Sequence, residues 1–279
     1  MYRYYDNNFI GYLSSYEFEL FSGTDSLEKF KESLKTEPKT WIYRNKEISY
    51  KRNSIGHRSK EVTQLGKYFI LFLGCSHTEG TGLALEDTYP HKTANMLGMD
   101  YYNMALGGTG CDVAYNNLYH WFENDFPKPS LVSIQWPDPF RFSRLTDDDN
   151  LTVLQNLSKK PYMRLKGHIS PKGPWDLTED SEEYSKRIDV YMDEFLTEIR
   201  PRALNLLEKS NIKYIESFSF PSDEMTKIFR KQINNFTDDF LIMHGGGVDA
   251  DKARDLGHPG IVTNHRHAQK IATRAQKIL

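Results

Sequence analysis

Short apolar runs alternate with amphipathic segments along most of the chain after residue 66. The strongest run covers residues 68–73, where five consecutive apolar side chains, Phe69 to Leu73, stop abruptly at Gly74. A run this short, without alternation, is typical of a strand buried on both faces, as in a parallel sheet. The pattern predicts further strands at residues 101–104, 131–136, 212–215 and 240–243.

Helical periodicity fills the gaps between these runs. Apolar residues at i, i+3, i+4 and i+7 predict helices over about 86–97, 112–126, 188–199 and 223–233, and from about 264 onward, with a kink or break at Pro201. Strands that alternate with helices indicate parallel βαβ units. We therefore expect an α/β fold with a central parallel sheet of about five strands.

Two parts of the chain do not follow this alternation. Residues 1 to about 66 carry one short helix pattern at 26–34, capped by Ser26, and a strand-like pattern that ends near Asn53. Residues 137–180 lack periodicity, and so long an irregular connection is often a functional loop or lid. We predict an N-terminal arm or appendage at 1–45 and one domain at 46–279.

Composition excludes several classes of function. The formal net charge of the 279 residues is -2 with mixed signs, so no concentrated positive surface for nucleic acid is expected. No apolar run approaches the ~20 residues needed to span a bilayer, and no signal peptide is visible at the amino terminus. Two cysteines cannot build a disulfide framework. These features favour a cytoplasmic protein with neither nucleic-acid nor membrane partners, and they leave the oligomeric state open.

Small and polar residues gather where the first, second and last strands are expected to end. The stretches are GCSHTEG, NMALGGTG and DLGHPG. Because the carboxyl ends of parallel strands share one edge of a sheet, these side chains are expected to meet. The residue types suit acyl transfer, with Ser76 as nucleophile, His258 as its base and Asp255 orienting the imidazole. The amides of Ser76 and Gly108 are the candidate donors for the oxyanion of the tetrahedral intermediate.

These blocks resemble the SGNH hydrolase superfamily, also called GDSL esterases and lipases. The resemblance covers roughly residues 50–279, and the blocks stand in the superfamily's order. It implies a flavodoxin-like three-layer α/β/α fold, ester hydrolysis or transesterification, and no cofactor or metal. The matching residues are 74–78 for the first block, Asn103 and Gly108 for the second, Asp255, His258 and Pro259 for the last, and NSIGHR at 53–58 for a stretch often preceding the core in bacterial and phage members.

The chain departs from the superfamily's pattern at two places. Cys75 stands where an Asp usually precedes the serine. The third block, Gly-x-Asn, is absent, and the third strand instead ends as SIQWPDPFR. Loss of one oxyanion donor typically costs ~10²–10³ in rate. Candidate substitutes for the missing Asn are Gln135, Trp136, Arg141 and Arg144.

Other readings of the same residues remain open. Ser76 is also a good helix-capping serine. Cys75 and Cys111 read as small buried residues, with a cysteine nucleophile as the alternative. Gly245–Gly247 would suit a phosphate loop, although a mobile loop fits better because no phosphate-binding motif follows a strand here. A metal cluster would draw on His244, His258, His265, His267 and Asp255.

The sequence therefore predicts a serine ester hydrolase or acyltransferase acting on O-acylated carbohydrate or small esters. The first alternative is a catalytically weak or inactive carbohydrate-binding or structural virion protein, which would be virus-encoded. The second is a metal-dependent hydrolase that uses the histidines.

Overall fold

The computed structural model describes residues 2–4, 9–12, 18–137, 142–145, 151–154, 193–220, 241–244 and 251–279. The strands in these ranges are β1 (Tyr2–Tyr4), β2 (Ile10–Tyr12), β3 (Phe18–Glu19), β4 (Tyr50–Lys51), β5 (Phe69–Leu73), β6 (Asp100–Asn103), β7 (Leu131–Trp136), β8 (Phe142–Leu145), β9 (Leu151–Leu154), β10 (Lys213–Phe220) and β11 (Leu241–His244). The α-helices are α1 (Leu27–Thr36), α2 (Ser76–Glu79), α3 (Tyr89–Leu97), α4 (Cys111–Glu123), α5 (Arg200–Lys209) and α6 (Ile261–Ile278).

A five-stranded parallel sheet forms the centre of the protein. Its strand order is β6-β5-β7-β10-β11, and each neighbouring pair is parallel. Numbered along the chain within this sheet, the order is 2-1-3-4-5, the order of flavodoxin-like folds. The predicted α/β class, parallel sheet and five strands are confirmed.

Helices cover both faces of the sheet, which explains the unbroken apolar run of β5. Phe69, Leu71 and Leu73 belong to a core that includes residues of α4 and α5. Ile70 and Phe72 belong to a second core with α3 and α6. All five side chains are at most 1% exposed. Because both faces of the strand are dry, a polar residue at any of these positions would lose its water without gaining a partner.

The sequence predicts a kink or break at Pro201, and of these the break is wrong. The described chain stays helical from residue 193 to Lys209. The turn before the proline, Phe195–Ile199, is a π-helix, and the Arg200 amide donates to the Phe195 carbonyl. Pro201 follows this turn directly, inside the continuous helix, and both a proline and a π-helical turn are known causes of helix bending. The predicted residues Ile188, Tyr191 and Met192 and the helix at 223–233 lie outside the described residues.

The interval 137–180 is not wholly irregular. β8 and β9 pair antiparallel, Phe142 opposite Leu154 and Leu145 opposite Leu151. They join β1 and β2 in a second sheet of order β2-β1-β9-β8. The amino terminus therefore pairs with a hairpin from the middle of the chain, a contact that no local pattern reveals.

Residues before the sheet also pack into the main core. Phe9 is fully buried there, stacked on Phe126 with ring centroids 5.3 Å apart. Asn117 of α4 receives the Ile10 amide and donates to the Ile10 carbonyl, at 2.8 and 2.9 Å. His57 is buried between the Ile10 carbonyl, 3.0 Å from Nε2, and the Tyr102 hydroxyl, 3.1 Å from Nδ1.

Buried histidines give the fold an acid-sensitive stability. Burial lowers the pKa of His57 to about 4, against the opposing hydrogen bond to Ile10, and burial followed by the charge of Lys270 lowers the pKa of His267 to about 3. An unfolded histidine titrates near ~6.5, so below that pH the unfolded chain binds more protons. The free energy of unfolding is therefore expected to fall with falling pH, by up to ~1.4 kcal/mol per pH unit for each histidine.

Urea unfolding between pH 7 and pH 5 would check this expectation. The His57→Gln variant keeps one donor and one acceptor but does not titrate, so its stability should change less steeply with pH than that of the wild type. The His265→Gln variant, at an exposed position of α6, is the control. Equal slopes for wild type and His57→Gln would contradict the role of His57.

Candidate active site

Ser76 lies at the carboxyl edge of the sheet, as the first residue of α2. It is 8% exposed, and Gly74 and Cys75 separate it from the end of β5. Its carbonyl accepts the amides of Gly80 and Thr81, which closes the turn after α2. Within the described residues, no acceptor takes the Ser76 amide hydrogen. The serine predicted on a strand-to-helix turn is therefore at that turn, with its amide available.

Asp255 and His258 form a close pair in the loop that precedes α6. His258 Nδ1 lies 2.6 Å from Asp255 Oδ2, and the amides of Gly257 and His258 both donate to Asp255 Oδ1 at 3.1 Å. The Asp255 side chain is fully buried, whereas that of His258 is 14% exposed. A carboxylate on Nδ1 favours the tautomer that carries its proton there, which leaves Nε2 as the acceptor.

The Asp255 carboxylate is held in its charged form. Burial disfavours the charge, but the hydrogen bond and charge of His258 and the hydroxyl of Thr24, 2.7 Å from Oδ2, together hold the pKa of Asp255 well below its usual range. The group is therefore ionised at neutral pH and suited to stabilise an imidazolium.

Two contacts bring the Ser76 turn to the Asp255–His258 loop. The ring of His77, the residue after Ser76, packs edge-on against that of His258 with centroids 5.4 Å apart. The Arg254 amide donates to the Gly82 carbonyl at 3.0 Å. Gly82 has φ +77°, and a methyl group there would lie 2.8 Å from Ala253 Cβ. Glycine thus permits both the left-handed turn and the close approach of the two loops.

The two predicted reacting side chains share an edge of the sheet but are not hydrogen-bonded to each other. Within the described ranges, no hydrogen bond joins the Ser76 hydroxyl to the His258 imidazole. Unliganded sites often have long nucleophile–base contacts that tighten when substrate binds. His77, which contacts His258, also hydrogen-bonds the Ser219 hydroxyl at the end of β10 through Nδ1.

The predicted oxyanion residues lie in different environments. Gly108, with φ +81°, lies in the loop between β6 and α4. A methyl group on its neighbour Gly107 would lie 3.7 Å from Ser76 Cβ but only 2.7 Å from Glu79 Oε2. The Gly107 amide donates to the Tyr12 hydroxyl at 3.0 Å, and that hydroxyl donates to Glu79 at 2.8 Å. This loop therefore lies against the Ser76 turn, and a side chain at residue 107 would prevent that approach.

Asn103 holds the Ser76 turn from behind. Its Nδ2 donates to the Thr78 carbonyl at 2.9 Å and its Oδ1 accepts the Ala105 amide at 3.1 Å. The residue is 1% exposed. Its side-chain amide therefore links the end of β6 to α2 and supports the Ser76 turn.

Gln135 points into the core rather than into the site. Its Oε1 accepts from the Thr78 hydroxyl at 2.9 Å, and its Nε2 lies 3.2 Å from Met243 Sδ and 3.3 Å from His267 Nε2. Successive side chains of a strand point to opposite faces of the sheet. Gln135 is on the face of β7 that α3 and α6 cover, so its side chain points away from solvent. Trp136 is also buried and donates through Nε1 to Glu216 at 2.8 Å. Arg141 lies outside the described residues, as does the side chain of Arg144.

The cysteines and histidines weighed as alternatives are dispersed. Cys75 and Cys111 are free and buried. His267 packs against Tyr89 in the core, with ring centroids 4.7 Å apart, whereas His258 pairs with Asp255. In the part of the chain that the structure describes, no three His, Cys, Asp or Glu side chains form a metal-binding group. Gly245–Gly247 lie outside that part.

Among the described residues, no helix combines the length and the apolar character that a bilayer crossing requires.

Sequence reasoning missed the residues that brace the site from the amino-terminal region. The Ser76 turn, the Asp255–His258 loop or their flanks are contacted by Thr24, Asp25, Tyr12 and Arg58. Only Arg58 lies in a stretch that the sequence singled out, NSIGHR. No sequence spacing or composition points to the other three residues, because each of their contacts with the site joins positions at least 67 residues apart.

Neither a protein-family model nor a curated protein matches this sequence. Solved structures do match. An acetyl xylan esterase from the rumen bacterium Butyrivibrio proteoclasticus is 15% identical, with a TM-score of 0.43, over 75% of this chain and 63% of that one. A family two carbohydrate esterase from Clostridium thermocellum is 12% identical, with a TM-score of 0.41, over 77% and 65%. A lipolytic G-D-S-L family protein from Veillonella parvula is 10% identical, with a TM-score of 0.37, over 76% and 98%.

Carbohydrate esterases and lipolytic G-D-S-L proteins recur among the matching structures. They are the proteins that the sequence motifs resemble. This chain spans less than two thirds of the length of the two carbohydrate esterases above. At these identities and scores the likeness assigns no activity.

Proposed function

We propose that the protein is a serine ester hydrolase or acyltransferase in which Ser76, His258 and Asp255 act together. The observation that carries the proposal is the buried Asp255 carboxylate 2.6 Å from His258 Nδ1, in a loop that contacts the Ser76 turn through His77. A buried carboxylate, an imidazole and a hydroxyl on one sheet edge are the parts that acyl transfer needs.

In the proposed reaction, the Ser76 oxygen attacks the ester carbonyl carbon while His258 Nε2 takes the hydroxyl proton. Asp255 stabilises the resulting imidazolium, and the Ser76 amide, with that of Gly108, donates to the oxyanion. His258 then gives its proton to the leaving alcohol, which departs as the carbonyl re-forms. Water, or a second alcohol in acyl transfer, attacks the acyl–Ser76 intermediate with His258 again as base. The Ser76 oxygen then leaves, takes back the proton from His258, and the acid or the new ester is released. The substrate class we propose is an O-acylated carbohydrate or a small ester.

Hydrolysis of p-nitrophenyl acetate by wild type and Ser76→Ala tests this proposal. The variant is expected to lose at least ~10³-fold in kcat because it lacks the nucleophile. Any remaining rate would come from the oxyanion donors, which the variant keeps. The Ser210→Ala variant, at the opposite end of β10 from the site, is the matched control and should keep wild-type activity. Equal rates for wild type and Ser76→Ala would refute the nucleophile.

A carbohydrate-binding protein with little or no esterase activity is the second candidate. One observation favours it. At the end of β7, Gln135 contacts Met243 in the core and Trp136 donates to Glu216, so neither side chain supplies the missing oxyanion donor. A glycan array probed with wild type and Ser76→Ala distinguishes the two. Binding by both proteins, without turnover of acetylated sugars by either, would favour this candidate.

A further inference from the structure

The Asp255 carboxylate accepts four hydrogen bonds, and one comes from a distant part of the chain. The His258 ring and the amides of Gly257 and His258 are local partners, within three residues. The fourth donor is the Thr24 hydroxyl, 231 residues earlier, at 2.7 Å from Oδ2. Oδ2 is also the oxygen that faces His258 Nδ1. Thr24 therefore shares the acceptor atom that orients the proposed base.

The loop that carries Thr24 is fixed to the same segment as its target. The next residue, Asp25, accepts two hydrogen bonds from Arg254, at 2.9 and 2.7 Å, and both side chains are at most 4% exposed. Arg254 also donates to the Leu20 carbonyl at 2.5 Å. Such a bidentate, buried ion pair fixes geometry as well as charge. It holds the Thr24 hydroxyl in register with Asp255.

A second connection joins this loop to the Ser76 side of the site. The Tyr50 hydroxyl donates to Asp25 Oδ2 at 2.6 Å and accepts the Gly82 amide at 2.7 Å. Gly82 ends the short connection that follows α2, and its carbonyl accepts the Arg254 amide. Asp25 thus ties together the loop after Ser76, the loop before His258 and the loop that carries Thr24.

We propose that Thr24 is a positioning residue of the Asp255–His258 pair. Its hydroxyl fixes the rotation of the Asp255 carboxylate, so that Oδ2 stays aligned with His258 Nδ1 through the cycle of proton uptake and release. The proposal rests on the proposed esterase function. Thr24 itself is solvent-exposed, while the carboxylate it holds is buried. Loss of the hydroxyl should therefore affect the imidazole more than the fold.

Kinetics of the full chain with p-nitrophenyl acetate test the role. The Thr24→Val variant keeps shape but removes the donor, and we expect kcat to fall about tenfold with KM within about twofold, the loss of one hydrogen bond to a charged group. Thr24→Ser keeps the hydroxyl and should restore at least half of the wild-type kcat. Thr36→Val, which loses a threonine hydroxyl on the surface of α1, is the control and should match the wild type.

The NMR resonance of the proton between His258 Nδ1 and Asp255 Oδ2 gives a readout that does not depend on turnover. The chemical shift of this proton depends on how closely the two atoms are aligned, so it should move in Thr24→Val. It should stay in place in Thr24→Ser.

The charged and titratable neighbours of the pair remain unchanged in these variants. Among the described residues they are Arg254 with Asp25, His77 against the His258 ring, and Tyr43, whose phenol senses the Asp255 charge. A shift in Thr24→Val alone is therefore assigned to the hydroxyl.

Two outcomes would overturn the role of Thr24. One is a Thr24→Val variant with wild-type kcat and an unmoved Nδ1 proton resonance, and the other is a Thr24→Ser variant as impaired as Thr24→Val. If the wild type is no more active than Ser76→Ala, the esterase proposal fails, and the Nδ1 proton resonance of the Thr24 variants alone decides whether Thr24 controls the pair.

Discussion

Replacing Asp255 with Asn is expected to lower kcat for ester hydrolysis by ~10³–10⁴-fold. All four partners of the carboxylate are donors: the Thr24 hydroxyl, the His258 ring and two backbone amides. An amide has only one acceptor oxygen, so either flip of Asn turns its NH₂ group toward two donors. If the NH₂ group faces His258, Nδ1 must become the acceptor, and the tautomer that leaves Nε2 free to act as base is lost.

Asp251 provides the matched control for this substitution. Its carboxylate lies in the same loop region, but it accepts from the amides of Val262 and Thr263 and from the Thr263 hydroxyl at the start of α6. In Asp251→Asn one of the two acceptor oxygens becomes an NH₂ group, so the variant is expected to lose about 1 kcal/mol of stability and to keep kcat within about twofold. Steady-state rates together with urea unfolding separate the two effects. Asp255→Asn with more than a tenth of wild-type kcat would contradict the assignment of Asp255.

The sheet was predictable because each of its strands carries its own local signal. β7 was predicted at the observed bounds, Leu131–Trp136, since prolines flank an apolar run. β5, β6 and β11 each begin and end within one residue of the predicted bounds. β10 extends to Phe220, five residues beyond the predicted end. Its Ser217 and Ser219 are buried polar residues, so the apolar pattern stops before the strand does.

The candidate site was predictable only in its main residues. Ser76, Asp255 and His258 stand in short blocks whose place in the chain implies one sheet edge, and the structure puts those blocks on that edge. The sequence motif around a polar residue near this edge does not tell whether its side chain enters the site or the core. Gln135 was considered as an oxyanion donor, yet strand alternation directs it to Thr78 and Met243. Only the direction of the side chain, fixed by the sheet, decides between site and core.

The amino-terminal region was the least predictable because its order depends on distant contacts. Its helix α1 has a local signal, and Ser26 caps it as expected by accepting the Lys29 amide at 3.2 Å. Its strands are two or three residues long, and only β4 lies in a predicted stretch, the strand-like pattern that ends near Asn53. Thr24 and Asp25 are placed by partners at residues 254 and 255. A segment predicted as an appendage thus supplies contacts to the candidate site.

Replacing Arg58 with Met is expected to lower the free energy of unfolding by about 3–5 kcal/mol. The guanidinium is 2% exposed and donates to four carbonyls: Nη1 to Glu79 and Gly80, and Nη2 to Ser49 and Leu83, at 2.7–3.2 Å. Methionine fills a similar volume but has no donor, so these carbonyls would be left buried without partners. Two of them close the end of α2, so the Ser76 turn should loosen as well.

Chemical denaturation followed by circular dichroism measures this loss, and a surface arginine calibrates it. Arg202 pairs with Glu198 one helical turn away, and its side chain is 64% exposed. The Arg202→Met variant is therefore expected to lose about 0.5 kcal/mol or less. Arg58→Lys should be intermediate, because a single ammonium nitrogen with three hydrogens cannot reach four carbonyls arranged for a planar fork. An Arg58→Met protein within about 1 kcal/mol of the wild type would mean that water reaches those carbonyls, and that Arg58 does not hold the Ser76 turn.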